Sequence, residues 1–244
     1  PYPPVVEVIC QVTFAEPVAW SVATPGLLWK AIQDDYPAEP TTLSGVAATF
    51  DRDEGEFKVN SQKARFVFSN EEQSRRLVAN ESCLSVNGLR PYEEWPNVAN
   101  RFRQAIDTFN ASVASFVAAT VNIRYVNRIV IPLGRLDLTE YFTVPIAEPH
   151  QDGAVIQGFV SRSQAVIPDS GVVITITFGS APHDVPDEAA FILDIELTVP
   201  VAGANSADDL IAAVDELHRL ENKEFESSIT DKCRRLFDGH DREE

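Results

Sequence analysis

The order of predicted elements, a strand followed by a helix, further strands and a second helix, occurs twice along the 244 residues. The first copy opens with an alternating apolar and polar run at residues 5–14, which is typical of a strand, and ends with an aromatic-rich helix at about 92–113. The second opens with a strand at 119–132 and ends with a long amphipathic helix at 208–237. This repeated order predicts a mixed fold rather than an all-helical or all-strand one.

The fold class predicted from this order is α+β, with pseudo-duplicated strand–helix–strands–helix units. Residues 1–118 form the N-terminal half and residues 119–244 the C-terminal half, packed as one compact unit. We expect an antiparallel-rich sheet with the helices packed on one face, because the helices of each half are numerous enough to cover only that face. Residues 38–60 are rich in proline, glycine and acidic residues, which predicts an exposed loop and the most mobile internal segment.

Composition fits a folded, cytoplasmic protein. Hydrophobic residues make up 44% of the chain, enough for a substantial core, yet no apolar run approaches the roughly 20 residues of a membrane span. The three cysteines, Cys10, Cys83 and Cys233, are too sparse for a disulfide framework or a zinc site. We expect them to be small buried hydrophobic residues in a reducing compartment.

The net charge of −17 restricts the classes of partner. An acidic chain disfavours nucleic acid and anionic membranes, because both carry the same sign of charge. The C-terminal half is the more acidic one, so a binding surface for a basic protein is expected there. Alternatively, the negative charge serves only to keep the protein soluble.

Alternation along two predicted strands of the second half assembles a polar surface. Arg124 and Arg128 lie on one side of the 121–131 strand, while Asn127 lies with the apolar residues on the other side. In the 190–200 strand, Asp194 and Glu196 oppose a wholly apolar side. If the two strands share a sheet, these charges form either a solvated face with cross-strand ion pairs or a recognition surface.

His218 falls within the apolar stripe predicted for the last helix, and Glu221 falls near the edge of that stripe. A histidine in that position needs a hydrogen-bond partner. We expect a partly buried structural histidine that ties the helix to the sheet, with ligand binding or proton transfer as the alternative. The binding residues predicted from the sequence are therefore Arg124, Asn127, Arg128, Asp194, Glu196 and His218.

Motifs with a known chemical mechanism are absent from the sequence. It has no metalloprotease HExxH, phosphate-binding P-loop, GxSxG nucleophile elbow or dinucleotide-binding GxGxxG. No catalytic residue, metal ligand or cofactor is therefore predicted.

Several segments together carry a resemblance to a known family: PPVVEV at residues 3–8, IRYVN at 123–127, FILDIE at 191–196, and His218 followed by residues 225–237. The chain resembles a sporadically distributed family of uncharacterised bacterial proteins of about this length, from which it departs at Glu196, where a second aspartate is expected. The resemblance implies no particular activity. A patchy distribution fits an accessory gene, including a partner in a bacterial defence or toxin–antitoxin locus.

These observations favour a non-enzymatic protein-binding or scaffolding function, such as neutralising a partner. The alternative is an enzyme with an unfamiliar polar site around Arg124, Asp194, Glu196 and His218, which a single deep pocket would favour. A third hypothesis, nucleic-acid binding by a duplicated sheet like that of the TATA-binding protein, conflicts with the charge. A shallow, open surface would favour binding over the enzyme.

Overall fold

In the computed structural model, the described residues are 3–43, 46–51, 56–61, 63–132, 137–146, 156–201 and 206–237, and residues 46–51 and 56–61 are described by their backbone alone. The helices are α1 (Thr24–Ile32), α2 (Trp95–Ser112), α3 (Ala207–Ser228) and α4 (Asp231–Arg235), with a 3-10 turn at Leu138–Glu140. The strands are β1 (Val5–Phe14), β2 (Thr41–Leu43), β3 (Val46–Asp51), β4 (Glu56–Ser61), β5 (Arg65–Ser69), β6 (Arg75–Ala79), β7 (Cys83–Leu89), β8 (Ala118–Pro132), β9 (Val160–Ile167), β10 (Val172–Ala181) and β11 (Glu188–Pro200).

A nine-stranded, open antiparallel sheet organises these elements, in the order β2-β5-β6-β7-β1-β8-β11-β10-β9. The fold class is therefore α+β, as predicted. The strands β1 and β8 pair along most of their length, so one sheet runs through both predicted halves. Outward from this central pair, the first half continues with β7, β6 and β5, and the second with β11, β10 and β9. The similar order does not by itself show a duplication, which stays a prediction.

One face of the sheet forms the core because its central strands largely alternate. From Ile123 to Ile131 of β8, buried residues occupy every second position, and most of β1 and β11 follows the same pattern. The helices cover this face: α2 packs against β7 and β1, α3 packs against β8 and β11, and α1 packs against α2. Cys10, Cys83 and Cys233 are all buried and unbridged, as predicted. None of the described helices is both long and apolar enough to cross a membrane.

The structure corrects two predicted loops. Residues 38–60 contain β2 and the hairpin β3–β4, because the strand-forming runs on both sides of the acidic tip pair with each other. The tip itself, residues 52–55, lies outside the described residues. Part of the segment that is predicted to be mobile therefore also lies outside them. The dipeptide Asn87-Gly88 is typical of a turn and predicts one there, but both residues lie within β7.

The predicted final helix is interrupted. It ends at Ser228, and Ile229 adopts an extended conformation before α4 begins. The interruption has a tertiary cause: Thr143 N donates to Ser228 O at 3.0 Å and Thr230 N donates to Tyr141 O at 2.9 Å, so this short segment pairs with another part of the chain. The Thr230 hydroxyl then caps α4 by accepting from Cys233 N at 3.3 Å.

Candidate functional site

The sheet face turned away from α2 and α3, called the polar face below, carries most of the charged residues that the sequence singled out. Pairing places Arg124 opposite Glu196 and places Asp194 opposite Val126, so these side chains come together across β8 and β11. Thr175 and Thr177 of β10 continue the row, opposite Glu196 and Asp194 respectively. The sequence-based assignment of these side chains to one surface is therefore correct in the structure.

Arg124 and Asp194 form a bidentate ion pair. Arg124 Nε donates to Asp194 Oδ1 at 2.8 Å and Nη2 donates to Oδ2 at 2.6 Å. The hydrogen bond with Asp194 is the main reason that the pKa of Arg124 lies above its usual value, with the charges of Asp194 and Glu196 also contributing. This two-point geometry fixes the guanidinium in the plane of the carboxylate.

Glu196 is held by a different partner. Asn122 Nδ2 donates to Glu196 Oε1 at 2.8 Å and to Thr198 Oγ1 at 2.8 Å. Asn122 is almost fully buried, although it lies on the polar face. Its amide therefore links two residues of β11 and orients the glutamate beside Arg124.

A groove of about 740 Å³ crosses the polar face from β11 and β8 over β1 and β7 to β6, β5 and β2. Its floor is polar and ordered: Asn87 Nδ2 donates to Glu7 Oε1 at 2.8 Å, and Ser85 Oγ donates to Asn87 Oδ1 at 3.3 Å. Its charged lining residues are Glu7, Arg65, Arg76, Arg124 and Glu196.

Most of this groove belongs to the first half of the chain, which the predicted binding set omitted. The alternation of Glu7 and Gln11 with apolar residues in β1 already indicated a second polar strand surface. Without knowing that β1 pairs with β8, the sequence could not place that surface next to Arg124. The groove residues thus became visible only through long-range pairing.

Arg128 also lies on the polar face, but it contacts a loop rather than lining the groove. Its Nη2 donates to Pro182 O at 3.1 Å and contacts His183 Nδ1 at 3.1 Å. His183 Nε2 is in turn 2.7 Å from Glu188 Oε2. Arg128 therefore anchors the segment that leads into β11.

Asn127 and His218 lie on the opposite face of the sheet. Asn127 is 1% exposed, and its Nδ2 donates to Leu193 O at 3.2 Å. His218 stacks on Trp95 with ring centroids 4.3 Å apart, and its Nδ1 lies 3.0 Å from the Tyr125 hydroxyl. The sheet thus separates His218 from Arg124, Asp194 and Glu196, so the four-residue enzyme site considered from the sequence is not formed.

His218 is partly buried and hydrogen-bonded, as predicted, and Asn222 Nδ2 lies 3.0 Å from its Nε2. Burial lowers its pKa, with a smaller opposing effect of Asp215. The assignment of Glu221 to the edge of the stripe is wrong: it is 2% exposed, because Leu210, Val214 and Leu217 define a stripe that passes through Glu221.

A structural role for His218 predicts unequal effects of two substitutions. We expect His218→Leu to be better tolerated than His218→Asp, because only the aspartate adds a charge between Trp95 and Tyr125. Thermal denaturation of both variants measures the difference. Equal destabilisation by both would contradict a purely structural role.

No cluster of three or more histidine, cysteine or acidic side chains in the described ranges has the geometry to hold a metal ion. Comparison with models of known protein families and with curated proteins finds no match to this chain.

Proposed function

We propose that this protein is a non-enzymatic binding protein that holds a protein partner in the groove of the polar face. The observation that carries the proposal is the groove itself, which is open and lined mainly by side-chain amides, hydroxyls and charges. Hydrogen bonds between lining residues hold several of these groups in place before any partner arrives. Such preorganisation reduces the entropy that binding costs.

Charge supports a protein partner with basic character. The chain carries −17 overall and would attract a basic protein at long range. Within the groove the arginines Arg65, Arg76 and Arg124 are balanced by Glu7 and Glu196 together with the adjacent Asp194. The net charge of the whole molecule therefore attracts the basic partner, whereas hydrogen bonds inside the groove recognise it. A neutralising role towards a toxin or a defence protein fits this arrangement.

An enzyme is the second candidate, because Asp194, Glu196 and Arg124 remain adjacent on the polar face. Their hydrogen bonds favour a fixed network over acid–base chemistry: Arg124 engages both oxygens of Asp194, and Asn122 engages Glu196. A turnover that Asp194→Asn or Glu196→Gln abolishes in a folded protein would favour the enzyme instead.

Filling the groove tests the proposal. Gln11 of β1 lines the groove. We expect the wild-type chain to capture a specific protein from a native lysate, identified by mass spectrometry, and the Gln11→Trp variant to lose that capture. The matched control is Gln33→Trp, the same change at an exposed position at the end of α1, which should retain capture. Capture should weaken as salt rises, because salt screens the steering field.

Each other outcome counts against the proposal. Capture that survives Gln11→Trp contradicts the placement in the groove. Capture lost on nuclease treatment indicates nucleic acid, and a lysate that yields no specific protein contradicts a protein partner.

A further inference from the structure

The strand β9 ends the sheet, and its outer edge carries no partner strand within the described part of the chain. The opposite end of the sheet is the three-residue β2, whereas β9 runs for eight residues. Six of its eight residues are exposed, and they lie on both faces, since the helices cover the sheet closer to its centre. An edge of this length offers a row of backbone groups for strand addition.

The pairing of β9 with β10 determines which backbone groups face outward. Ser180 N donates to Phe159 O at 3.0 Å, and Phe159 lies one residue before β9. In an antiparallel pair, hydrogen-bonded positions alternate, so the odd-numbered residues 161, 163 and 165 bond to β10. The four even-numbered residues direct their N–H and C=O groups outward: Val160, Arg162, Gln164 and Val166.

The strand β9 carries few of the usual protections of an edge strand. It contains no proline or lysine, and its one charged residue is Arg162. Val160 and Val166 are 76% and 58% exposed. Since both have outward-facing backbones and both lie on the polar face, they mark the two ends of one unprotected segment.

We propose that β9 pairs antiparallel with β9 of a second copy of this chain, with the two-fold axis at Ser163. This register sets Val160 opposite Val166 and Arg162 opposite Gln164, so the exposed valines meet and the arginines stay apart. It also makes both of these pairs hydrogen-bonded ones, because all four residues face outward. The two copies then form a closed, symmetric dimer with one continuous sheet.

Neighbouring registers fit less well. An axis at Arg162 sets the two arginines directly opposite each other, which destabilises the pair. An axis at Gln164 sets Val160 opposite Pro168, which has no N–H to donate. The sequence of β9 is thus complementary to itself in one register, and this self-complementarity points to a second copy rather than to a foreign strand.

Size and charge determine how the dimer behaves. One strand pair is smaller than the roughly 1,200 Å² of a standard interface, so we expect weak, concentration-dependent association, on the order of micromolar or weaker. Two copies of net charge −17 repel each other. Added salt should therefore strengthen the dimer, which is opposite to the salt dependence expected for a basic partner.

A single cysteine tests the register. Ser163 on the axis would face its own copy as a non-hydrogen-bonded pair, with Cα atoms about 4.5 Å apart, within the range for a disulfide. We expect Ser163→Cys to form a disulfide-linked dimer under mild oxidation, read on a non-reducing gel, while the buried native cysteines stay unlinked. The matched control is Ala165→Cys, which faces Ser161 of the other copy and should not link to itself but should link to a Ser161→Cys chain.

Association itself is tested by removing an outward N–H. Gln164→Pro takes away a donor that β10 does not use, so the fold should persist while the dimer is lost. Sedimentation equilibrium over a concentration series should give a rising mass for the wild type and a constant monomer mass for this variant. A wild type that stays monomeric, or equal self-linking of the Ser163→Cys and Ala165→Cys chains, overturns the proposal. If the Ser163→Cys chain links to a different protein in a lysate and never to itself, the edge binds a foreign strand, and the proposal is again overturned.

Discussion

Replacing Arg101 with methionine should lower the free energy of unfolding by about 3 kcal/mol, the low end of the range for breaking a buried ion pair. Arg101 lies on α2, and its Nε donates to Glu93 Oε1 at 2.7 Å. Its other nitrogens reach the Tyr36 hydroxyl at 3.3 Å and Asn87 O at 3.4 Å. Both charged side chains are only 11% exposed. Methionine keeps much of the side-chain length but leaves the Glu93 carboxylate without its main partner.

The backbone of β7 is shaped around this pair. A Cβ atom at Gly88 would lie 3.3 Å from Arg101 Nη2, 3.3 Å from Glu93 Oε1 and 3.0 Å from Val8 Cγ1. Glycine therefore allows the ion pair to approach the strand closely. A cavity of about 320 Å³ between α1, α2 and β6 is lined by both charged residues. Arg75 Nη2, which lies 3.2 Å from Glu93 Oε2, would remain as a second partner, and water in that space would partly solvate the carboxylate, which is why we expect the low end of the range.

The control lies two residues further along the same helix. Arg103 pairs with Asp208, but the two side chains are 37% and 84% exposed, so Arg103→Met should cost less than about 1 kcal/mol. The double variant Arg101→Met/Glu93→Leu should recover part of the loss, since it removes the buried carboxylate that has lost its main partner. Urea denaturation measures all three variants. Equal losses for Arg101→Met and Arg103→Met would show that the buried pair has no special contribution.

Replacing Glu221 with glutamine should stabilise the protein at neutral pH, on the order of 3 kcal/mol at pH 7. Burial raises the pKa of this carboxyl to about 8. The hydroxyls of Tyr92 and Tyr125 lie 3.3 Å apart nearby, and burial and then the Glu221 charge raise the pKa of Tyr92. The folded protein thus holds a proton on Glu221 that the unfolded chain releases near its ordinary pKa of 4.5.

The direction in which stability changes with pH follows from that difference in proton binding. Because the folded state binds the proton more tightly, stability is greatest below pH 4.5, falls as pH rises towards about 8, and is then constant for this group. His218 acts in the opposite direction, since burial lowers its pKa and its contribution is lost as pH falls below about 6.5. Glutamine at 221 removes the first of these dependences and leaves the second.

Urea denaturation from pH 4 to 8 measures the effect. We expect Glu221→Gln to match the wild type near pH 4.5 and to exceed it progressively at higher pH. The control is Glu224→Gln on the same helix, at a half-buried position, which should follow the wild-type curve. A Glu221→Gln curve parallel to that of the wild type would contradict the buried, protonated carboxyl.

The sequence predicted those features that depend on how a residue sits in its own element. Alternation placed Arg124 and Asn127 on opposite sides of one strand, and Asp194 and Glu196 together on one side of another, because side chains of a strand alternate between its faces. The type and spacing of the cysteines predicted that they are buried, and the order of elements predicted the α+β class. The helical period placed His218 against the core, where its Nδ1 lies 3.0 Å from the Tyr125 hydroxyl.

Tertiary structure decided which of these surfaces meet. The pairing of β1 with β8 brings Glu7 and Gln11 beside Arg124, more than 100 residues away, and so creates the groove. Pairing at residues 228–230 interrupts the last helix, and packing of α3 on β8 and β11 buries Glu221. Local periodicity could not predict these outcomes, because they follow from contacts between segments that are distant in the chain. The period of a strand or helix is fixed by its own backbone, whereas its neighbours are selected by the free energy of packing the whole sheet.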